Sequence, residues 1–218
     1  HNKHKSHGYR WISAFLRQKY GLILKPNYVH VCCKYAGIKS QAKRIKYRRP
    51  KDEKFEFPNL IYGRWNASKP YETIVSDMTM FRHKGIRYEL TLYLDTFNNE
   101  ILSYKLSSRE GDPKTYHEGL KDIIGLIKKE QTDQVTILHT DQGSVYSSQS
   151  YNELLNNTNV KHSMSRAGTP TDNPVMESIN GWIKDEMYAD FDLKHCDDIK
   201  KFISSYIRWF NRERPAYA

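Results

Sequence analysis

The chain has 218 residues, 38% of them hydrophobic and 13% aromatic, which suits one ordinary domain with a small appendage and excludes a disordered chain. Lys and Arg number 35 against 25 acids, a net charge of +10 with a pI near 9.3, and this balance favours a polyanionic partner, nucleic acid before membrane. No apolar run approaches the ~20 residues of a bilayer span, no signal-peptide pattern is present, and three cysteines without a CxxC pair suit a reducing cytoplasm.

Residues 1–38 read as small and helical. Tyr9, Ile12, Phe15, Leu16 and Tyr20 recur at helical spacing, Gly21 can end that helix, and Pro26 can open a second through Val29, Cys33 and Ala36, closed by Gly37. Two short amphipathic helices of this kind resemble a helix-turn-helix. His1 in place of Met, and the closing Arg-Pro-Ala-Tyr-Ala, read as the ends of a piece of a longer chain. His1, His4 and His7 invite a zinc reading with Cys32 and Cys33. Adjacent cysteines, one on an apolar stripe, lack the spacing of structural zinc ligands.

Residues 39–70 form a basic linker. Lys39, Lys43, Arg44, Lys46, Arg48, Arg49 and Lys51 crowd together, and Pro50, Pro58 and Pro70 punctuate the rest. Such a segment can lie extended on phosphates, or be a solvated charge run.

From 71 to 218 the pattern is that of an α/β domain. Thr73–Phe81, Ile86–Phe97 and Glu100–Leu106 read as strands, with Phe97-Asn98-Asn99-Glu100 as a hairpin turn. Asp112 caps a helix with Pro113 at its first position and a stripe of Tyr116, Leu120, Ile123, Ile124 and Ile127. Val135–His139 and Val160–Met164 are short strands around a short helix at 149–156. Asp172-Asn173-Pro174 opens a long helix with Ile179, Trp182, Ile183 and Met187 on its apolar side. Asp197 or Asp198 opens the last, carrying Ile199, Phe202, Ile203, Tyr206, Ile207 and Phe210. Three meandering strands followed by alternating helices and strands predict a mixed sheet flanked by helices, an order compatible with a ribonuclease-H-like core.

Three acids stand out. Asp77 lies inside the apolar strand Ile-Val-Ser-Asp-Met-Thr-Met, where a carboxylate is costly to bury unless it is paired or binds metal; the alternative is that it faces solvent. Asp141 follows a strand directly, at the edge where ligands of open α/β sheets gather, in an Asp-Gln-Gly that also suits an ordinary turn. Glu177 sits in the first turn of its helix, where negative charge is favoured for the helix's own sake. Between Asp141 and Glu177 lie 177 − 141 − 1 = 35 residues.

The surrounding blocks make this spacing specific. Ser76-Asp77-Met78-Thr79, the run from His139 to Ser148, the run from Gly168 to Ser178, Lys184 with Glu186, and Phe210-Asn211-Arg212-Glu213-Arg214-Pro215 together resemble the transposases of bacterial insertion sequences encoded by two overlapping reading frames. More broadly they resemble the retroviral-integrase superfamily, with its Asp, Asp, 35-residue gap, Glu signature. His7-Gly8-Tyr9-Arg10 and Lys34–Ile38 resemble that family's front segment. Ile74, Met80 and Ala216 stand where the family usually has Trp, an aromatic, and His or Gln.

The resemblance implies a DNA transposase acting by metal-dependent strand cleavage and strand transfer. Asp77, Asp141 and Glu177 would be the catalytic, metal-binding acids for a pair of Mg²⁺ ions, with Mn²⁺ as a substitute. Lys184, two helical turns beyond Glu177, would hold a DNA phosphate, as would Lys43, Arg44, Lys46, Arg48 and Arg49 of the linker. Thr79 and His139 are candidates to support the acids, although His139 also suits a satisfied strand-end histidine, and Asp95 suits a turn. The implied partners are double-stranded DNA, as element ends and target, and further copies of the chain on DNA, in the bacterial cytoplasm at the nucleoid. The breadth of apolar residues on the last helix, with Trp209, fits either an oligomer contact or a cover over the chain's own core. The competing readings are a non-catalytic, sequence-specific DNA-binding protein and a ribonuclease-H-like nuclease.

Overall fold

The computed structural model describes residues 5–42, 57–130, 134–166 and 172–215. The chain divides into two compact units, one of His1–Lys46 with Gly181–Ala218 and one of Tyr47–Asn180. Among the described residues no helix is long and apolar enough to cross a membrane.

The unit of residues 47–180 is built on a five-stranded sheet of order β3-β2-β1-β4-β5. Its strands are β1 (Thr73–His83), β2 (Ile86–Asp95), β3 (Ile101–Ser107), β4 (Thr136–Thr140) and β5 (Val160–Met164). β1, β2 and β3 form an antiparallel meander, while β4 and β5 run parallel to β1. This is the mixed sheet that the element order predicts. β1 extends two residues beyond the expected Phe81 because its ladder with β2 continues to His83↔Ile86. The two-residue turn between them puts Lys84 (φ 46°) and Gly85 (φ 80°) in the left-handed region, the conformation that closes a tight hairpin. Asp95, at the end of β2, accepts the Tyr71 N–H at 2.9 Å and the Phe97 N–H at 3.0 Å, so it shapes the hairpin turn.

α3 (Pro113–Lys129) packs on β2 and β3. Asp112 accepts from the Lys114 N–H at its start, as the cap signature predicts, and Tyr116, Leu120, Ile123 and Ile127 are buried. Gly119 is there for contact: an added Cβ would lie 2.3 Å from Tyr93 Cε2. The core between α3, the sheet and α4 (Gln149–Glu153) is unusually rich in tyrosine, with Tyr93, Tyr116, Tyr146 and Tyr151 all buried. The Tyr93 hydroxyl donates to the Tyr116 carbonyl at 2.8 Å and lies 3.0 Å from the Tyr151 hydroxyl. Buried tyrosines need such partners.

The other unit contains α1 (Tyr9–Tyr20), α2 (Pro26–Tyr35), the larger part of α5 (Pro174–Ala189) and α6 (Ile199–Arg212). The stripe expected on α1 is corrected. Trp11 and Ala14 are the buried apolar residues and Tyr20 is exposed, because Trp11 stacks between His7 at 4.2 Å and Phe15 at 5.1 Å. α2 buries Val29 and Cys33 as predicted, whereas Ala36 is exposed. α6 is capped by Asp198, which accepts from the Lys200 and Lys201 N–H groups, and buries Ile203, Tyr206, Ile207 and Phe210. Trp209 packs edge-on against Phe191 at 4.6 Å and near Tyr206 at 5.9 Å of its own chain. The breadth of the α6 apolar face is thus partly used internally.

Candidate active site

β1 and β4 bring two of the three acids together. Their parallel register pairs Thr73 with Ile137, Ile74 with Leu138 and Val75 with His139. Asp77 lies two residues beyond Val75, and Asp141 two residues beyond His139, just past the end of β4. Neighbouring strands are about 4.8 Å apart, so the register carries both acids towards the same edge of the sheet, Asp77 within β1 and Asp141 in the loop that follows β4. Both carboxylates raise the pKa of the Tyr116 and Tyr146 phenols, behind the larger effect of burial. The Tyr146 hydroxyl also lies 2.8 Å from Ser76 Oγ, beside Asp77.

Each of the two acids is held. Asp77 is half-buried, and its Oδ2 accepts from Asn180 Nδ2 at 2.9 Å. Asp141 reaches solvent, yet the surrounding walls strip enough water to push its carboxyl above the usual 3.8, against the opposing Gly143 N–H donated at 2.9 Å. A Cβ at Gly143 would lie 2.9 Å from Asp141 Oδ1, so a larger residue there would turn that carboxylate. Thr79, proposed from sequence as a support, is buried with no hydrogen-bond partner on Oγ1 among the described residues.

Glu177 is exposed in the first turn of α5. Asn180, the Asp77 partner, is three residues further on and so lies on an adjoining part of the same helix face. Sequence reasoning misses Asn180; its signal is the one-turn offset from Glu177. Among the described residues no three His, Cys, Asp or Glu side chains gather closely enough to hold a metal ion. The trio of Asp77, Asp141 and Glu177 is therefore not assembled.

His139 ties β4 to the start of α5. It is fully buried, its Nδ1 lies 2.8 Å from Ser163 Oγ, and its Nε2 lies 2.9 Å from the Asp172 carbonyl. Since the carbonyl can only accept, Nε2 carries the proton and Nδ1 accepts from Ser163, whose oxygen in turn accepts the Leu60 N–H at 2.8 Å. His139 is thus a fully satisfied strand-end histidine. Asp172 adds a paired contact with Arg166 at 2.8 and 3.1 Å, which lowers its pKa. Burial lowers the His139 pKa from 6.5 to about 4, with Asp172 opposing. Below pH 6.5 the unfolded chain takes up a proton that the native site refuses, so stability present at neutral pH is lost as pH falls towards 4. The expected loss is about 3 kcal/mol from this residue. His162, shifted to about 4 by burial and by His139, adds in the same direction but is partly exposed. Urea melts of the protein and of His139→Gln between pH 7 and pH 4 test this. An identical pH slope in the two proteins would remove His139 as the acid-labile group.

Lys184 is half-buried on α5. Lys43, Arg44, Lys46, Arg48 and Arg49 lie outside the described residues, as does the Gly168–Thr171 part of the third block.

Comparison with known proteins gives the family and the fold. The integrase core domain family matches residues 67–170 and, in a second part, residues 158–218. The chain is 32% identical over 181 residues to the transposase for insertion sequence element IS904 of Lactococcus lactis, covering 82% of this chain and 70% of that protein. It is 29% identical over 215 residues to the InsK protein of insertion sequence element IS150 of Escherichia coli K12, covering 98% and 74%. Among solved structures, a chain of the simian T-cell lymphotropic virus intasome superposes with a TM-score of 0.57 at 18% identity, over 92% of this chain and 65% of that one. The HTLV-2 integrase catalytic core in complex with magnesium superposes with a TM-score of 0.52 at 20% identity, over 68% and 90%. The fold is ribonuclease-H-like, and the chain belongs to the insertion-sequence transposases, the polynucleotidyl transferases that share the integrase core.

Proposed function

We propose that this transposase cuts and joins DNA at the ends of its element through a carboxylate site formed by Asp77, Asp141 and Glu177. The observation that supports the reading is the parallel β1–β4 register, beyond whose last pair, Val75 with His139, Asp77 and Asp141 each follow by two residues, with Asn180, one turn beyond Glu177, bonded to Asp77. The donors are all hard oxygens, and the neighbouring Asn180 Oδ1 is buried with no hydrogen-bond partner among the described residues. That set suits Mg²⁺ or Mn²⁺ and not a soft metal. Asp77 and Asp141 would hold the ions, and Glu177 would complete the site on ion or DNA binding. When bound, a pair of divalent ions supplies Lewis-acid stabilisation at the attacking and leaving oxygens of an in-line displacement.

The chain's own residues supply position. Asn180 fixes the rotation of the Asp77 carboxylate, and the Gly143 N–H fixes that of Asp141. His139 holds the turn that opens α5 and so sets where Glu177 begins. In the overall reaction water opens a phosphodiester to leave a 3′-hydroxyl and a 5′-phosphate. The 3′-hydroxyl then attacks a second phosphodiester, displacing its 3′ oxygen. Lys184, Lys43, Arg44, Lys46, Arg48 and Arg49 would hold phosphates, with residues 1–38 and the linker 39–70 engaging duplex DNA and residues 71–218 carrying the chemistry. Two ends must be joined, so the working form is a complex of several copies on DNA in the bacterial cytoplasm.

The test is single-turnover cleavage and strand transfer on duplexes carrying the element ends, with and without Mg²⁺ or Mn²⁺. Activity that survives complete chelation would sink the reading. Asn180→Ala is expected to lower activity about 10- to 100-fold, the range typical when the group orienting a ligand is lost. Excess metal should recover part of that loss, whereas an Asn180→Ala protein with unchanged turnover would show that Asp77 needs no such partner.

A further inference from the structure

The charge of the chain is segregated by position. The first 51 residues hold fourteen Lys or Arg and no Asp or Glu, so the whole positive excess of +10 originates there and the remainder is slightly acidic. Within the unit of residues 1–46 and 181–218, this acid-free segment forms one wall of a groove of about 1060 Å³. Tyr9, Arg10, Arg17, Leu24 and Lys25 line it from α1 and the connection to α2, and Trp182 lines it from α5. No acid lines the groove, and among the described residues no acid pairs with Arg10, Arg17 or Lys25, all three of which are exposed.

Trp182 is braced by a buried network. The Arg214 guanidinium lies over its ring at 4.9 Å and over Phe210 at 5.1 Å. Arg214 Nε donates to Glu186 Oε1 at 2.8 Å, and the Tyr206 hydroxyl donates to Glu186 Oε2 at 2.5 Å. Glu186 is fully buried and the Arg214 side chain is only 7% exposed. His7 Nε2 lies 3.3 Å from the same Glu186 oxygen, and its ring stacks on Trp11, which also lines the groove. The network spans three otherwise unexplained sequence blocks: the front His-Gly-Tyr-Arg, the Lys-x-Glu pair and the closing Arg-Pro.

We propose that this groove binds an unpaired stretch of DNA strand, stacking a base near Trp182 and holding its phosphates with Arg10, Arg17 and Lys25. A basic groove with a fixed aromatic platform suits a single strand, because the bases of an intact duplex have no free face to stack. The chemistry of the family supplies such a strand. A nick at an element end removes the covalent hold on one side of the break, and the flanking nucleotides fray. The inference rests on DNA as substrate but not on the assignment of the three acids.

The experiment measures anisotropy of labelled oligothymidine, of a duplex with an unpaired overhang and of the same duplex with a blunt end, using the whole chain. The wild type is expected to prefer the overhang to the blunt end. Trp182→Leu should weaken oligothymidine and overhang binding about fivefold or more, as for the loss of one stacked base, while Trp182→Phe stays close to wild type. Blunt-duplex binding by Trp182→Leu should be nearly unchanged. The triple variant Arg10→Gln, Arg17→Gln, Lys25→Gln alters exposed side chains only and should lose the overhang preference, so the test survives even if Trp182→Leu folds poorly. Absence of an overhang preference in the wild type, or equal loss on blunt and overhang DNA in Trp182→Leu, would overturn the proposal. Repeating the binding with Asp141→Asn separates the two sites, since that variant should keep the overhang preference whatever its effect on cleavage.

Discussion

Asp77→Asn, Asp141→Asn and Glu177→Gln are each expected to reduce strand cleavage and strand transfer about a thousandfold or more, the equivalent of roughly 4 kcal/mol of charge stabilisation in the transition state. The folded protein should hardly notice. Asp77 accepts the Met78 N–H on Oδ1 at 2.7 Å and the Asn180 amide on Oδ2 at 2.9 Å; a carboxamide in its place can keep the first bond and donate to Asn180 Oδ1 once that amide turns over. Asp141 accepts the Gly143 N–H, which a carboxamide oxygen also can, and its carboxyl is already raised by burial, so removing the charge relieves desolvation. Glu177 is exposed. Melting curves should therefore coincide with wild type, and DNA affinity in the absence of metal should be unchanged. Single-turnover gels with Mg²⁺ report the chemistry. A variant within tenfold of wild type is not one of the three acids.

The parts of this site that can be read from sequence are those set by neighbours along the chain. Asp112 and Pro113 open α3, Val160–Met164 is a strand, and Asp141 follows β4 because cap chemistry and apolar runs are local. That Asp77 and Asp141 follow paired strands at the same sheet edge is implied in the sequence only by the family resemblance. Physically it arises from the parallel β1–β4 register, a pairing across more than sixty residues. The same holds for the partners. Nothing near His139 in sequence reveals that Ser163 and the Asp172 carbonyl will satisfy both its ring nitrogens, nor that Asn180 will turn towards Asp77. On α1 the periodic pattern points to Tyr9, Ile12 and Phe15, but Trp11 takes the buried place because a single large ring stacked on His7 outweighs regular spacing. Glu186 is the extreme case. In the sequence it stands only as the second half of the Lys184 and Glu186 pair, and its full burial depends on Arg214, Tyr206 and His7, none of them nearby in the chain.

Glu186→Ala is accordingly expected to destabilise the unit of residues 1–46 and 181–218 by about 3–5 kcal/mol, the range for removing one partner of a buried ion pair. Burial raises the Glu186 pKa, opposed by Arg214 and by the Tyr206 hydroxyl, so the charged form survives only through its partners. The dependence is mutual. Without Glu186 the Arg214 guanidinium, buried beside Trp182 and Phe210 with Nη2 already lacking a hydrogen-bond partner among the described residues, would keep its charge and lose its counterion. Asp190 does not replace it, being occupied by the Ser6 hydroxyl at 2.6 Å and the Lys5 N–H at 2.6 Å. The double variant Glu186→Leu, Arg214→Met removes both charges and keeps volume, and should recover most of the loss, because a buried pair contributes little net stability over well-packed apolar groups. Urea melts of the single and double variants give the coupling directly. Fluorescence of Trp182, whose ring Arg214 covers, should change in Glu186→Ala before global unfolding. Additive losses in the double variant would mean that Glu186 and Arg214 stabilise the fold separately.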